Sequence, residues 1–272
     1  MQDKKALQEK LLEIVEFVDE VCRENNIKYS LAYGSTLGAV RHKGFIPWDD
    51  DMDIFLTAEE YSKFRDAFLF SNNKKFFLQE WNIIPKCLEY AKIRMNGTTF
   101  IETNCKELKD IHQGIFIDIF ILHKIPTNYK FSKIHYYINQ YLTLYSLITN
   151  KNWKPKTKNQ NLIAKIVKFM PNKLIAKAFY KKLNKFDKVE KDFYYYHWMM
   201  KGSYNKSLFP REMFDLVEDI EFENTKLMCC KDAHKYLTQT YGDYMILPSE
   251  EQRLEAIHAE IFDTEKDYTK YL

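Results

Sequence analysis

The chain has 272 residues, 46% of them apolar, and its 41 lysines and arginines nearly cancel 38 acidic residues to leave a net charge of +3. That apolar content builds a substantial core and excludes a disordered chain, while the balance of charge removes any whole-chain case for nucleic-acid binding. Five cysteines, Cys22, Cys87, Cys105, Cys229 and Cys230, are scattered and odd in number, which suggests neither a disulfide framework nor a zinc site.

The opening Met1-Gln2-Asp3-Lys4-Lys5 leads into an amphipathic pattern instead of an apolar leader. Leu7, Leu11, Ile14, Val15, Val18 and Cys22 recur at helical spacing and predict a helix with one buried stripe. Ile27 to Tyr33 reads as a strand running into a turn at Gly34, and Asp51 to Leu56 as a second strand. Thr57-Ala58-Glu59-Glu60 is a capping box that opens a helix reaching about Phe70. Strands around Phe76 to Gln79, Glu89 to Met95, Thr98 to Ile101 and Gly114 to Phe120 complete a mixed sheet. From about Phe131 to Met200 the pattern is helical, with Pro155 and Pro171 as breakers and no glycine before Gly202. The remainder predicts a helix started by Pro210, a strand near Ile220 to Phe222, and helices near Lys231 to Tyr241 and Ser249 to His258. No window holds about 18 uninterrupted apolar residues, so the expectation is a cytoplasmic protein without a spanning helix. The expected class is α+β: a mixed β-sheet core flanked by helices in residues 1–125, an inserted basic helical subdomain in 126–205, and a C-terminal α/β segment, 206–272, packing back on the core.

The chemistry is concentrated between Leu31 and Leu56. Alternation on a strand puts Asp51 and Asp53 on one face while Met52 and Ile54 enter the core. Two adjacent carboxylates need a counter-ion, and a hard divalent cation, Mg²⁺ or alternatively Mn²⁺, shares its remaining positions with phosphates and water. Asp118, alone in the apolar stretch Gly114-Ile115-Phe116-Ile117-Asp118-Ile119-Phe120, supplies a third carboxylate that is costly to bury unpaired. Gly34 and Ser35 permit close backbone approach to phosphate, with the Ser35 hydroxyl on its oxygens. A solvated turn after Pro47 accounts for Asp49-Asp50-Asp51 but for neither Asp53 nor Asp118. Arg41, His42 and Lys43 neutralise phosphate or form an exposed basic loop; Lys92 and Arg94 share a strand face and either contact phosphate or stand as surface cations.

The segment Gly34-Ser35-Thr36-Leu37-Gly38-Ala39-Val40-Arg41-His42-Lys43-Gly44-Phe45-Ile46-Pro47-Trp48-Asp49-Asp50-Asp51-Met52-Asp53 closely resembles the signature of the LicD-type phosphocholine transferase family, related to the fukutin-related proteins of animals. Gly114 to Phe120 resembles its second block, and Tyr241-Gly242-Asp243-Tyr244-Met245 with Leu247-Pro248 its C-terminal block. The resemblance implies a nucleotidyltransferase-like core that moves phosphocholine from CDP-choline to a sugar hydroxyl of a bacterial surface glycan precursor, in teichoic acid, capsule or lipopolysaccharide. Ribitol or glycerol phosphate is the alternative cargo, and a nucleotidyltransferase acting on a small molecule is the nearest rival. A non-catalytic binding protein fits poorly with the intact carboxylate set. On this reading Asp51, Asp53 and Asp118 are catalytic and hold the metal, with Asp118 completing the metal shell or accepting the acceptor's proton. Gly34, Ser35, Thr36, Arg41, His42, Lys43, Trp48, Asp49, Asp50, Lys92 and Arg94 bind substrate.

Choline calls for aromatic faces, and Trp48, Trp81, Tyr90 and the run Tyr194-Tyr195-Tyr196-His197-Trp198 are the candidates. Between Lys124 and Lys188 lysines accumulate against the single Asp187. They mark either amphipathic helices on an anionic membrane, where a lipid-linked glycan acceptor would lie, or a helical subdomain with a solvated basic face. No nucleic-acid partner is expected.

Overall fold

The computed structural model describes residues 4–84, 87–102, 111–149, 158–197, 204–255 and 258–272. The first half of the chain forms α1 (Lys4–Glu24), β1 (Ser30–Leu31), α2 (Tyr33–His42), β2 (Asp53–Thr57), α3 (Ala58–Phe70), β3 (Phe76–Ile84), β4 (Cys87–Met95), β5 (Thr99–Glu102) and β6 (Phe116–Pro126). Three helices follow, α4 (Tyr129–Thr149), α5 (Lys158–Phe169) and α6 (Asn172–Phe186), then β7 (Phe193–Tyr196), α7 (Tyr204–Ser207) and β8 (Phe209–Pro210). The chain ends with β9 (Val217–Phe222), β10 (Thr225–Cys230), α8 (Ala233–Tyr241), α9 (Glu250–Glu255) and β11 (Ala259–Asp263). The fold is the expected mixed sheet with flanking helices. Cys105, Lys151, Lys154, Pro155, Lys156, Trp198, Met200 and Gly202 lie outside the described residues.

The stripe read in α1 is the floor of the core: Leu7, Leu11, Ile14, Val15, Val18 and Cys22 are all fully buried. Each such side chain contributes roughly 1.5–3 kcal/mol by leaving water, as an upper bound. The main sheet runs β1-β2-β6-β4-β3, with β2 and β6 parallel and the other neighbours antiparallel. α3 starts where the capping box predicts, the Thr57 hydroxyl accepting the Glu60 N–H at 3.2 Å. α4 and α6 lie against β6, and Leu142, Ala176, Phe179 and Leu183 belong to the same buried cluster as the sheet. Among the described residues no helix is long and apolar enough to cross a membrane.

Five expectations are corrected. The predicted strand Ile27–Tyr33 shrinks to Ser30–Leu31, and the predicted loop at Gly34-Ser35 is the first turn of α2. Two glycines and an N-cap alanine without a side-chain cap hide that helix; tertiary bonds start it, the Tyr33 N–H donating to the Tyr236 hydroxyl at 2.9 Å. The Thr98–Ile101 strand leaves the main sheet to pair, as β5, with C-terminal β11. Within the stretch read as helical, Phe193–Tyr196 is instead a strand paired to the far end of β6, as its aromatic composition favours. Pro210 ends a strand and is followed by only a single 3-10 turn, Arg211–Met213, because β8 has paired with β7.

Gly38 has a packing reason inside a helix: a Cβ there would stand 2.4 Å from the Gly44 carbonyl oxygen. Gly38→Ala should lower the unfolding free energy by roughly 1–3 kcal/mol in urea denaturation, although alanine favours a helix by about 1 kcal/mol. An unchanged midpoint would mean that the Gly38–Gly44 crossing relaxes freely.

Candidate active site

Two strand registers build the centre. The parallel pair β2 and β6 sets Asp53 level with Asp118, and β4, on the other edge of β6, sets Lys92 level with Asp118. Residues level on adjacent strands share a face, so Asp53, Asp118 and Lys92 form one row with strands about 4.8 Å apart. Asp51, two residues before Asp53, acts on the same charges, while Met52 and Ile54 are fully buried as their alternation predicts. Asp49 joins them: it is hydrogen-bonded to Asp51 and lies over Gly34, where a Cβ would stand 2.9 Å from its Oδ2. Gly34 serves here by lacking a side chain.

All four carboxylates are harder to ionise than usual. Burial, then repulsion from Asp51, pushes Asp49 up to about 8. Burial raises Asp118 to about 6 against the pull of Lys92, and lifts Asp53 well above the ordinary range with Asp51, Asp118 and Asp49 adding to it. Burial also raises Asp51, although the His258 imidazole opposes it. One Asp118 oxygen, Oδ1, forms an ion pair with Lys92 Nζ at 3.2 Å.

Several expected substrate residues are engaged within the protein. Asp118 is not unpaired in its apolar strand, since Lys92 comes to it from the next strand. Lys92, 2% exposed, also holds Glu102 at 3.1 and 3.2 Å and lies 3.4 Å from the Phe116 ring centre. Arg94, 1% exposed, donates to the Gly114 carbonyl at 2.9 Å and to Gln79 and Glu102. Neither is a surface cation. The buried Ser35 hydroxyl, expected on phosphate, accepts the Asp53 N–H at 2.8 Å and so ties α2 to the carboxylate strand. Thr36 is fully buried. Asp50 turns away from the cluster, its carboxylate accepting the N–H groups of His258 and Ala259, each at 2.9 Å, and the His258 ring at 3.1 Å. Lys43 is exposed at the left-handed end of α2, where its carbonyl accepts the Glu223 N–H at 2.7 Å.

The sharp entry to α2 depends on Tyr33, held in the left-handed region at φ 41°, a conformation that costs about 1–3 kcal/mol. Its N–H donates to Tyr236 and its hydroxyl is hydrogen-bonded to His197 Nε2, a ring that burial keeps neutral, with its pKa lowered to about 3.

Two arginines meet at the Trp48 ring. Arg41 donates to the Tyr244 carbonyl at 2.8 Å and to His42 at 2.9 Å, and its guanidinium lies 6.0 Å from the centre of the Trp48 ring. Arg253 lies 4.4 Å from the same ring centre. Burial first, then repulsion from Arg253, makes the Arg41 charge less favourable than usual; burial and Arg41 do the same to His42. Tyr241 stands between the sets: burial, then Asp53, Asp49 and Asp51, raise its pKa, while Arg41 lowers it. Tyr241, Arg253, His258 and Glu102 were not singled out from the sequence. Only Tyr241 carried a signal, at the head of the C-terminal block.

Of the candidate rings for choline, Tyr195, Tyr196 and His197 are buried and Trp48 is covered by Arg253. Trp198 lies outside the described residues. Tyr90 and Trp81 stack at 5.8 Å, level with one another and one step along the sheet face from Lys92 and Gln79.

Among the described residues no three acidic, histidine or cysteine side chains already converge as a ligand cage. The donor set nevertheless fits a hard cation: clustered carboxylates made reluctant to ionise by burial and by their neighbours are relieved by positive charge.

A mixed sheet that places carboxylates on neighbouring strands beside a helix start fits an enzyme site. Residues 26–146 match the family model described as LicD/FKTN/FKRP, nucleotidyltransferase domain. Over 251 residues the chain is 30% identical to the lipopolysaccharide cholinephosphotransferase LicD of Haemophilus influenzae, covering 89% of this chain and 91% of that protein. It is also 33% identical over 138 residues to the uncharacterized protein RP689 of Rickettsia prowazekii, covering 49% of this chain and 50% of that one. The chain belongs to the LicD family and is a transferase of it.

The Asp50 hydrogen bond is the chief reason that the His258 pKa rises to about 9. A histidine raised in this way adds stability that is fully present below its unfolded value near 6.5 and is lost as pH rises through about 9. His258→Gln should therefore melt lower than wild type below about pH 6.5, with the gap closing by about pH 9 in thermal scans. A gap independent of pH would mean that the imidazole is not charged in the folded protein.

Proposed function

We propose that the protein transfers phosphocholine from CDP-choline to a sugar hydroxyl of a bacterial cell-surface glycan, with Mg²⁺, or Mn²⁺ in its place, as cofactor. One juxtaposition carries this reading: carboxylates short of a cation act on Tyr241 from one direction, and Arg41, a guanidinium made less favourable by burial and by Arg253, acts on it with the opposite sign. A metal complex of a pyrophosphate satisfies both at once. The overall likeness to a cholinephosphotransferase points to choline as cargo and to a lipopolysaccharide-type acceptor, with teichoic acid and capsule precursors as related acceptors. The work belongs on the cytoplasmic side, where CDP-linked donors are made.

Asp51, Asp53 and Asp118 would hold the metal, which when bound neutralises charge on the donor's pyrophosphate. Arg41 and Arg253 grip phosphate oxygens, and Trp48, packed between them, fixes their spacing. The acceptor oxygen bonds to the phosphorus that carries choline, and the bond from that phosphorus to CMP breaks. Asp118 either completes that metal shell or, where Asp51 and Asp53 alone hold the ion, takes the acceptor's proton while Lys92 orients it. The stacked Tyr90 and Trp81 offer the trimethylammonium group aromatic surface beside that row.

The purified protein, incubated with CDP-choline, CDP-ribitol, CDP-glycerol or the four NTPs and a bacterial glycan extract, should release CMP from CDP-choline in Mg²⁺ and not in EDTA. CMP from CDP-ribitol or CDP-glycerol alone would reassign the cargo, and pyrophosphate from an NTP would make it a nucleotidyltransferase. Asp51→Asn should lower turnover at saturating Mg²⁺ by about a hundredfold or more, and a loss within about tenfold would sink the mechanism. Tyr90→Ala should raise the KM for CDP-choline by roughly three- to thirtyfold with little change in kcat. An unchanged KM would move choline recognition elsewhere.

A further inference from the structure

The active site leaves the basic middle of the chain unused. From Ile119 to Phe186 there is no aspartate or glutamate, so the lysines of this stretch have no acidic neighbour along the chain. The helices of this stretch are not simply basic. α5 turns Ala164 and Val167 inward, where they pack with Ile148 of α4. On its opposite side, Leu162, Ile166 and Phe169 follow at four- and three-residue spacing and stay in water, Phe169 at 92% exposure. The turn into α6 continues the stripe with Met170 and Leu174, the latter 70% exposed. Lys165, Lys168, Lys173 and Lys177, all exposed, flank it.

A solvated basic face explains the lysines and not the stripe; an exposed phenylalanine among aliphatic residues lowers solubility unless something covers it. RNA would use the charge and leave the aliphatic residues idle. A fluid anionic layer with an apolar interior uses both, the lysines reaching phosphates while their methylene stems and the stripe enter the acyl boundary. We propose that the outward face of α5 and the turn into α6, centred on Ile166, Phe169 and Leu174, docks on an anionic phospholipid membrane. The surface goes beyond the donor and acceptor chemistry of the site, and its test reads binding and not turnover.

The full chain is mixed with vesicles of phosphatidylcholine alone or with about a third phosphatidylglycerol, and bound protein is separated by flotation. Partition onto the phosphatidylglycerol vesicles should be about tenfold or more stronger, and should fall about tenfold in Phe169→Glu and in Lys165→Glu/Lys168→Glu. Thermal melting of these surface variants should match wild type. The Phe169→Trp variant should gain fluorescence that acyl-chain-brominated lipid quenches. Equal binding to both vesicle types, no binding, or added fluorescence in the Phe169→Trp variant that is indifferent to brominated lipid would overturn the proposal. So would RNA binding that survives Phe169→Glu, which would assign the face to nucleic acid, or self-association lost in that variant without vesicle binding, which would assign it to a second copy.

Discussion

Repulsion among carboxylates in a poorly solvated place is the constraint on which the rest of this site depends. Burial is the largest cost of ionisation for Asp49, Asp51, Asp53 and Asp118, and Asp51 adds to that cost for the other three. Asp50, between two of them in sequence, escapes. Burial works against its charge too, but its donors from His258 and Ala259 hold its carboxyl below the ordinary range. The difference separates two kinds of work within Asp49-Asp50-Asp51: the middle residue fastens the C-terminal segment to the core, and its neighbours resist ionisation in the absence of a cation. A buried ion pair is weak support for stability in general. Lys92, shared by Asp118 and Glu102, is better understood as holding the charge balance of the row.

The cluster is assembled from distant parts of the chain. The N-terminal helix reaches over it, Lys4 donating to the Trp48 carbonyl at 2.9 Å and Gln8 to the Ile46 and Asp49 carbonyls at 3.2 and 3.1 Å. The β9–β10 turn closes on the other side: Glu223 accepts the Phe45 N–H at 2.9 Å and fills the space where a Gly44 side chain would be. The segment between α2 and β2 has little regular structure of its own, and these bonds satisfy its backbone groups and fix its course. Preorganisation of this kind lets carboxylates stay close before any ligand arrives.

Arg41 shows the same incompleteness with the sign reversed, burial and the neighbouring Arg253 making its charge less favourable. Two guanidiniums at one indole ring repel each other, yet the ring and the Tyr244 carbonyl keep Arg41 in place. Under the proposed function, unmet demand of both signs around Tyr241 would suit a ligand that carries both, anionic phosphates with their own cation.

Local pattern determined a good part of this protein. The α1 stripe, the Thr57 capping box, the alternation of Met52 and Ile54 with Asp51 and Asp53, and most strand positions are legible because helix and strand periods and caps act over a few residues. The signature from Gly34 to Asp53 marked the family and the carboxylates for the same reason, being contiguous. Tertiary structure alone decided what crosses the chain: that β2 and β6 are parallel and in a register that sets Asp53 against Asp118, that Lys92 neutralises Asp118 from another strand, and that Ser35 bonds the backbone of Asp53. It also decided that β5 leaves the sheet for β11 and that Arg253 and His258 close a site more than 200 residues upstream. Register, ion-pair partners and burial are properties of elements brought together by packing, and no window along the chain contains both sides of such a contact.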